Sequence, residues 1–281
     1  MRIITFESVK NAVCALCGKA ACDLPEDVLA ALKTAGEKES NVLAKDFFRQ
    51  YMLNSDIAVS ERLPLCQDTG FAVFFIEAGV ETTLDHGTIR EAVNEGVKEG
   101  YKKFFLRKSI VADPLFDRKN TFDNTPAIIH LDQVPGDKLH ITLAPKGGGS
   151  ENMSALKMLK PAQGRQGVVD FVAEAVISAG GNPCPPTIVG VGIGGTMEYA
   201  AFMAKKALLR PVGTPSADPR YAELEAEILQ KINASGVGPQ GLGGDTTALA
   251  VHIEFHPCHL ASLPVAVNLN CHAARHAEVT L

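Results

Sequence analysis

The chain has 281 residues, and 27 Lys and Arg against 32 Asp and Glu give it a formal net charge of −5. Hydrophobic residues make up 46% of it, enough to fill a substantial core and to exclude wholesale disorder. The acidic balance and the absence of a basic stripe argue against a nucleic-acid partner. The longest run without charged residues is broken by prolines, so we expect no membrane-spanning helix.

Seven cysteines are spread along almost the whole chain, an odd number that does not suit a disulfide framework. Such usage is typical of thiols that are kept reduced in the cytosol. The N-terminus also lacks a signal-peptide pattern, because charged residues interrupt its apolar stretches. We therefore predict a cytosolic protein whose cysteines either pack in a core or serve as ligands.

The first part of the chain, residues 1 to about 60, carries apolar residues at three- and four-residue spacing and is predicted to be mainly helical. The turn sequence Asp68-Thr69-Gly70 then precedes a strand predicted over 71–76. An amphipathic helix is predicted over 86–105, and the following LRKSIVADPL is predicted to be a loop.

The rest of the chain alternates strands and helices. Strands over 127–134 and 138–145 flank a Pro-Gly-Asp turn and are predicted to form a hairpin. Later elements are predicted as helices over 166–180, 196–209 and about 220–232, and as strands over 187–195, 248–256 and 262–270. We predict an α/β fold: one domain over 1–281, with a mixed β-sheet body flanked by helices and a mainly helical N-terminal region.

Two glycine-rich segments are candidates for ligand binding. GVGIGG at 190–195 matches the dinucleotide fingerprint but lacks the second strand ending in an acidic residue, so a tight turn and close helix packing are favoured over nicotinamide binding. Lys146 and the three glycines before Ser150 precede a predicted helix start, where backbone amides suit a small anion such as a carboxylate. The structural alternative for that segment is a glycine C-cap and loop.

The cysteines fall into two groups. Cys14, Cys17 and Cys22 have the spacing of a metal motif, but they lie on a predicted amphipathic helix without a fourth ligand, which favours packing. The other four lie in loop-forming sequences: Cys66 in PLCQDTG, Cys184 in NPCPP, Cys258 in HPCHL and Cys271 in NLNCHAARH. Polar and cationic neighbours, such as those of Cys66 and Cys271, stabilise a thiolate ligand. Three thiolates can hold a 4Fe-4S cubane and leave its fourth iron open to act as a Lewis acid on a substrate oxygen.

Six motifs occur in a fixed order over most of the chain: PLCQDTG, LRKSIVADPL, APKGGGSENMS, NPCPPTIVGVGIGGT, GPQGLGGDTTALAVHIE and HLASLPVAVNLNCHAARH. Together they closely resemble the α subunit of two-subunit class I fumarases and L-tartrate dehydratases. The resemblance covers about residues 5–281 and implies that the cluster ligands are Cys66, Cys184 and Cys271.

The resemblance also implies a reaction: reversible hydration of a small dicarboxylate, foremost fumarate to malate, with tartrate to oxaloacetate as the alternative. It assigns roles to six residues: Asp68 exchanges the proton of the hydroxyl, Gln67 lies beside the hydroxyl, Arg107 clamps a carboxylate, the amides of Gly148 and Gly149 hold the substrate, and His259 contacts substrate or water. The structural alternatives are a turn-capping role for Asp68 and a satisfied loop position for His259.

The base for the carbon-bound proton lies on a second domain in single-chain relatives. We therefore expect a separate β subunit to complete the site, in a dimer of αβ pairs. Cys258, which precedes His259, departs from the family pattern and is expected to place a further thiol close to the site. A non-catalytic iron-sulfur electron carrier or sensor is the alternative from another class, and a fourth cysteine ligand would favour it.

Overall fold

Three helices fill most of the first 61 residues of the computed structural model, which describes residues 1–281. They are α1 Phe6–Cys22, α2 Glu26–Lys38 and α3 Val42–Glu61. Only a short strand, β1 Arg2–Ile4, precedes them, so the predicted helical N-terminal region is confirmed. The Thr5 side chain caps α1 by accepting the Ser8 N–H at 3.1 Å.

Cys14, Cys17 and Cys22 lie on the buried side of α1, with 6%, 1% and 2% of their surface exposed. Burial raises the pKa of all three thiols, because the charged form is poorly solvated there. The packing interpretation of these cysteines is confirmed.

The chain divides into two compact units. The first contains Met1–Pro25, Ser55–Gly148 and Arg275–Leu281, and the second contains Glu26–Asn54 and Gly149–Ala274. One domain over 1–281 stays a prediction. Each unit has a four-stranded sheet covered by helices, so the predicted α/β class with mixed sheets is confirmed. No helix has the length and apolar character needed to span a membrane.

The strands of the first unit are β1, β2 Phe71–Gly79, β3 Thr82–Leu84, β4 Ile128–Val134, β5 Leu139–Lys146 and, near the C-terminus, β10 Ala277–Thr280. The four-stranded sheet has the order β10-β5-β2-β4. The predicted hairpin of β4 and β5 is wrong, because β2 lies between them, parallel to β4 and antiparallel to β5. The physical reason is that β2 is buried from Ala72 to Ile76 and needs a partner on both sides.

Helix α4 Ile89–Lys103 packs closely on α1 in the same unit. It begins with a capping box formed by Thr88 and Glu91. A side chain at Gly96 would lie 2.6 Å from the Lys10 carbonyl oxygen, and one at Gly100 would lie 2.7 Å from Cys17 Cβ. These glycines therefore allow the two helices to approach each other.

The second unit contains α2, the start of α3 and the second four-stranded sheet. Its strands are β6 Ala155–Leu159, β7 Thr187–Gly194, β8 Ala248–His256 and β9 Leu263–Asn270, in the order β6-β9-β7-β8. The remaining helices are α5 Gly148–Glu151, which begins in the first unit, α6 Gly164–Ala179, α7 Met197–Ala207 and α8 Pro219–Asn233. Strand β7 runs parallel to β8 and antiparallel to β9.

The glycines of β7 bring α7 onto the sheet. A Cβ at Gly190 or Gly192 would lie 2.0 Å from the carbonyl oxygen of Ala204 or Ala200, respectively. The segment that matches the dinucleotide fingerprint therefore serves close helix packing, as the sequence interpretation favoured.

Candidate active site

The segment from Cys66 to Gly70 enters β2 in a fixed conformation. The carbonyl oxygen of Gly70 accepts hydrogen bonds from Tyr101 Oη at 2.9 Å and from Asn124 Nδ2 at 3.2 Å. Both donors are buried, and Gly70 has a φ of +84°, where glycine is favoured. The two side chains thus hold the segment from inside the first unit.

The Asp68 carboxylate is held by main-chain amides. Its Oδ1 accepts the Gly70 N–H at 3.0 Å, which is the turn-capping contact considered from the sequence, and its Oδ2 accepts the Gly148 N–H at 2.8 Å. Arg275 Nη2 donates to the Asp68 main-chain carbonyl at 2.5 Å. Gly148 therefore contributes its amide to Asp68, whereas the sequence predicted an amide that holds substrate.

That glycine segment differs from the prediction in a second way. The expected helix start is α5, a single turn of four residues that ends at Glu151 and is followed by β6. One turn has little of the dipole of a full helix, so the helix argument for anion binding fails here. A Cβ at Gly147 would lie 3.3 Å from Asp68 Oδ2, so a small residue suits this position.

Cys66 is half-buried at the start of the segment. Its Sγ accepts the Asp68 N–H at 3.4 Å and donates to Gln67 Oε1 at 3.4 Å. An N–H donor that points at sulfur is a contact typical of cysteine ligands in metal sites. Gln67 itself is exposed.

Arg107 lies next to this segment in the first unit. Thr69 Oγ1 donates to the Arg107 main-chain carbonyl at 3.0 Å, and the Arg107 side chain is exposed. Its planar fork is therefore available to a carboxylate. The first unit thus brings Cys66, Gln67, Asp68, Arg107 and Gly148 together.

Two further predicted residues, Cys184 and Cys271, meet in the second unit. Cys184 follows α6 in an exposed loop with a φ of +54°, and Cys271 is the residue directly after β9. The Cys184 carbonyl oxygen accepts the N–H of His272 at 3.2 Å. This hydrogen bond joins the two cysteine loops at the edge of the sheet where β7 begins. Gly149, also in this unit, is exposed near the Asn182 carbonyl oxygen.

Three side chains that the sequence did not single out as site residues surround this pair. The ring of Tyr51 stacks on His272, with centroids 4.0 Å apart, and Gln240 Nε2 donates to Tyr51 Oη at 2.7 Å. Burial raises the pKa of Tyr51 to about 12, and the nearby thiols of Cys184 and Cys271 add to that shift. Tyr51 and Gln240 come from α3 and from the loop before β8, so only the fold brings them here.

His259 and Cys258 lie at the other edge of this sheet, in the loop between β8 and β9. His259 Nδ1 accepts the Ala261 N–H at 3.1 Å, and Cys258 Sγ donates to the Ser262 carbonyl at 3.3 Å. The length of β7 from Ile188 to Gly194, about 20 Å at the rise of a strand, separates this edge from the cysteine pair.

Two sequence expectations are affected. Cys258 was expected to lie close to the proposed ligands. This is wrong for Cys184 and Cys271, because Cys258 lies at the other edge of the sheet and lines a separate cleft of about 740 Å³. His259 lines the same cleft, and its substrate role stays a prediction without geometric support.

Comparison with known proteins adds to this geometry. A family model described as fumarate hydratase (Fumerase) matches residues 10–280. The chain belongs to the fumarate hydratase family. A relative from Methanocaldococcus jannaschii, provisionally named L(+)-tartrate dehydratase subunit alpha, is 45% identical over 274 residues, 96% of each chain. The L(+)-tartrate dehydratase subunits alpha of Escherichia coli strains UTI89 and K12 are 36% and 35% identical over 267 residues, 92% of this chain and 87% of theirs.

Membership in the fumarate hydratase family confirms the resemblance drawn from the motifs and the prediction of a hydro-lyase α chain. The family description and the names of the relatives point to different substrates, so the choice between fumarate and tartrate is not made by them.

The fumarate hydratase family implies an iron-sulfur cluster, and the donor chemistry of this chain fits one. No three His, Cys, Asp or Glu side chains are grouped around a position for a single metal ion. A cubane makes a different demand, because each thiolate binds its own iron. Cys66, Cys184 and Cys271 lie in loops among polar groups, unlike the buried cysteines of α1.

Proposed function

We propose that the chain is the α subunit of a cytosolic 4Fe-4S hydro-lyase that adds water to, or removes it from, a four-carbon dicarboxylate. The observation that carries the proposal is the Asp68 carboxylate, held by the amides of Gly70 and Gly148 two residues after Cys66. Such an arrangement orients a proton-transferring group before substrate binds. Family membership over residues 10–280 supports the reaction class.

The cluster would be held by Cys66, Cys184 and Cys271. When bound through three cysteines, it supplies a Lewis acid that weakens the bond between carbon and the leaving hydroxyl. The contact from the Asp68 N–H to Cys66 Sγ supports this assignment for the first ligand. The hydrogen bond from His272 N–H to the Cys184 carbonyl supports it for the other two, because it joins their loops.

The remaining roles belong to side chains and amides of the chain. Asp68 exchanges a proton with the hydroxyl at a carboxylate oxygen, and the exposed guanidinium of Arg107 binds a substrate carboxylate through two parallel hydrogen bonds. Gln67 is exposed beside Asp68 and can bind a polar substrate group. Of the two predicted amides, Gly149 is the better candidate for substrate, because the Gly148 amide is already bonded to Asp68.

A β subunit would supply the base for the carbon-bound proton and further carboxylate-binding residues, and we propose a dimer of αβ pairs. The relatives are named as alpha subunits, which supports a partner chain. The enzyme would then be active only as the pair.

Two substrates are candidates. The family description favours fumarate and malate, whereas the relatives at 36% to 45% identity are named for L(+)-tartrate. Malate and L-tartrate differ by one hydroxyl group. A buried hydrogen-bonding partner for that hydroxyl can discriminate strongly between the two substrates.

The test is anaerobic co-purification of the chain with the β-type chain of the same organism, followed by parallel assays of malate and L-tartrate dehydration. We expect dehydration of at least one substrate by the pair and none by either chain alone. Full activity of this chain alone would contradict the split site. A pair that holds a cluster with a fourth cysteine ligand and turns over neither substrate would favour an electron carrier instead.

A further inference from the structure

The loop between α4 and β4 exposes an unusual amount of aromatic surface. We name residues 105–122 of the first unit the aromatic arm. Phe105, Leu115, Phe116 and Phe122 are 91%, 71%, 81% and 80% exposed. The arm is ordered by its own main chain, since the N–H of Ala112 donates to the Lys119 carbonyl at 2.8 Å and the N–H of Thr121 donates to the Ile110 carbonyl at 2.9 Å. A large exposed apolar surface on an ordered loop indicates a binding partner.

Two of these phenylalanines also have unfavourable backbone conformations. Phe105 has a φ of +55° and Phe122 a φ of +64°, in the left-handed region that bulky residues rarely adopt. Phe105 is the first residue after the C-cap Phe104 of α4, and the Leu106 N–H closes the turn on the Tyr101 carbonyl at 3.0 Å. Glycine is the usual residue at such a position.

The two observations reinforce each other. Glycine or asparagine would relieve the strain at Phe105 and Phe122 without loss of burial, because both side chains point into solvent. Strain at an exposed position brings no packing benefit within the chain, which indicates a use for these aromatic side chains in a contact outside it.

The exposed area and the charge of the aromatic arm indicate what kind of surface its partner presents. Three phenylalanines with about 200 Å² of surface each give about 500 Å² at these exposures, a large part of the roughly 800 Å² that one partner buries in a standard interface. The arm carries four basic residues against two acidic ones, on a chain whose net charge is −5. An apolar groove with an acidic rim is complementary to such a surface.

The arm is also continuous with the candidate site. Arg107 lies near its base, and its carbonyl oxygen accepts the hydrogen bond from Thr69. Asn124, just beyond the other end, donates from Nδ2 to the carbonyl oxygen of Gly70 and accepts the N–H of Ser109 at Oδ1. A chain seated on the arm would therefore lie beside Asp68.

We propose that the aromatic arm is the docking element for the β subunit, which binds it in an apolar groove with an acidic rim. This inference rests on the proposed function, because it takes the partner to be the second chain of the hydro-lyase. The arm would bring the partner's residues to the edge of the site formed by Asp68 and Arg107.

The test measures the Kd between the purified full-length chain and the β-type chain of the same organism by calorimetry. We expect Phe116→Ala, at the exposed tip, to weaken binding at least 10-fold, and Phe105→Asn with Phe122→Asn to weaken it at least 100-fold. The same double variant should raise the Tm of the isolated chain, because asparagine tolerates a positive φ better. The matched control is Leu260→Ala, at a 94% exposed position in the second unit, with an unchanged Kd.

An unchanged Kd in the arm variants would overturn the proposal. So would a loss of self-association with β binding intact, since a second copy of this chain would then occupy the arm. The docking proposal and the proposed function can also be separated. If the wild-type pair forms and the arm variants dissociate it, the docking proposal is supported. If that same wild-type pair dehydrates neither malate nor L-tartrate, the proposed function is wrong.

Discussion

Arg275 anchors the main chain of Asp68: its Nη2 donates to the Asp68 carbonyl oxygen at 2.5 Å, from a side chain that is only 5% exposed. The amides of Gly70 and Gly148 orient the carboxylate of the same residue. The position of the proposed proton-transferring group is therefore set by the protein before substrate arrives, which is the condition for efficient general acid-base catalysis.

Arg275 should behave as a positioning residue. We expect Arg275→Lys to lower kcat about 10- to 100-fold, because a shift of about 1 Å in a reacting group has an effect of this size. KM should change much less, since Arg275 is proposed to act on Asp68 through its main-chain carbonyl. Steady-state kinetics of the αβ pair provides the measurement, with Arg90→Lys on the exposed face of α4 as control. Equal losses in the two variants, or a change confined to KM, would argue against the positioning role.

Asp68→Asn should remove the proton transfer and leave the turn in place. Asparagine keeps one carbonyl oxygen to accept an amide, so the fold should survive, while kcat should fall about 100- to 10,000-fold. Asp85→Asn is the matched control, because Asp85 also accepts a main-chain amide, from Phe6 at 2.8 Å, but caps α1 instead. The iron content of both variants should equal that of the wild type. Near-normal turnover in Asp68→Asn would assign the proton to another group.

Most elements could be predicted from the sequence, because their periodicity and boundary residues are local. The amphipathic pattern of α4 predicts its place closely, and the apolar run of β7 predicts a buried strand. The pairing of the strands is harder to predict from the sequence than their positions. The turn between β4 and β5 suggested a hairpin, but only the tertiary fold inserts β2 between them.

The candidate site was predicted in parts. Chemistry and resemblance point to Cys66, Asp68 and Cys184, because each lies within a short motif that can be read directly from the sequence. Tyr51 and Gln240 were missed, because nothing near them in the chain marks them and they meet His272 only through the fold. His272 and Arg275 are among the polar and cationic neighbours of Cys271, but the sequence does not show their partners, because the Cys184 carbonyl and the Asp68 carbonyl lie far away in the chain.

The two groups of cysteines should differ in iron binding. We expect Cys17→Ala to keep the iron and sulfide content of the anaerobically prepared pair, at a stability cost of about 1–2 kcal/mol for the lost packing. Cys66→Ser, Cys184→Ser and Cys271→Ser should each lose most of both elements. Cys258→Ser is the control for an exposed cysteine in another loop and should retain them. Full iron in any of the three ligand variants would refute that assignment.

The glycines of β7 should be sensitive to a single methyl group. A Cβ at Gly192 would lie 2.0 Å from the Ala200 carbonyl oxygen and 2.8 Å from the Ala204 nitrogen, both main-chain atoms of α7. We expect Gly192→Ala to destabilise the protein by about 1–3 kcal/mol, because α7 must shift. Denaturant unfolding measures this, with Ala201→Gly on the exposed side of α7 as a control costing about 1 kcal/mol. Stabilisation of the wild type by NAD would instead revive the dinucleotide interpretation.

Stability should fall in mild acid because of His252, a residue of β8 that is only 2% exposed. Its Nδ1 lies 3.2 Å from the Ala207 carbonyl oxygen, so this nitrogen carries the proton of the neutral ring. Burial lowers the pKa of His252, and the charge of Arg210 lowers it further against the opposing effect of Glu225.

The sign of the pH effect follows from proton linkage. As the pH falls below about 6.5, the unfolded chain binds a proton at this histidine before the folded protein does, so the free energy of unfolding decreases. The contribution is complete above that pH and is lost as the pH drops through the lowered pKa. His252→Asn keeps an N–H donor for Ala207 and should flatten the stability profile between about pH 7 and pH 5. A slope that is the same in the wild type and in His252→Asn would show that other groups govern the acid response.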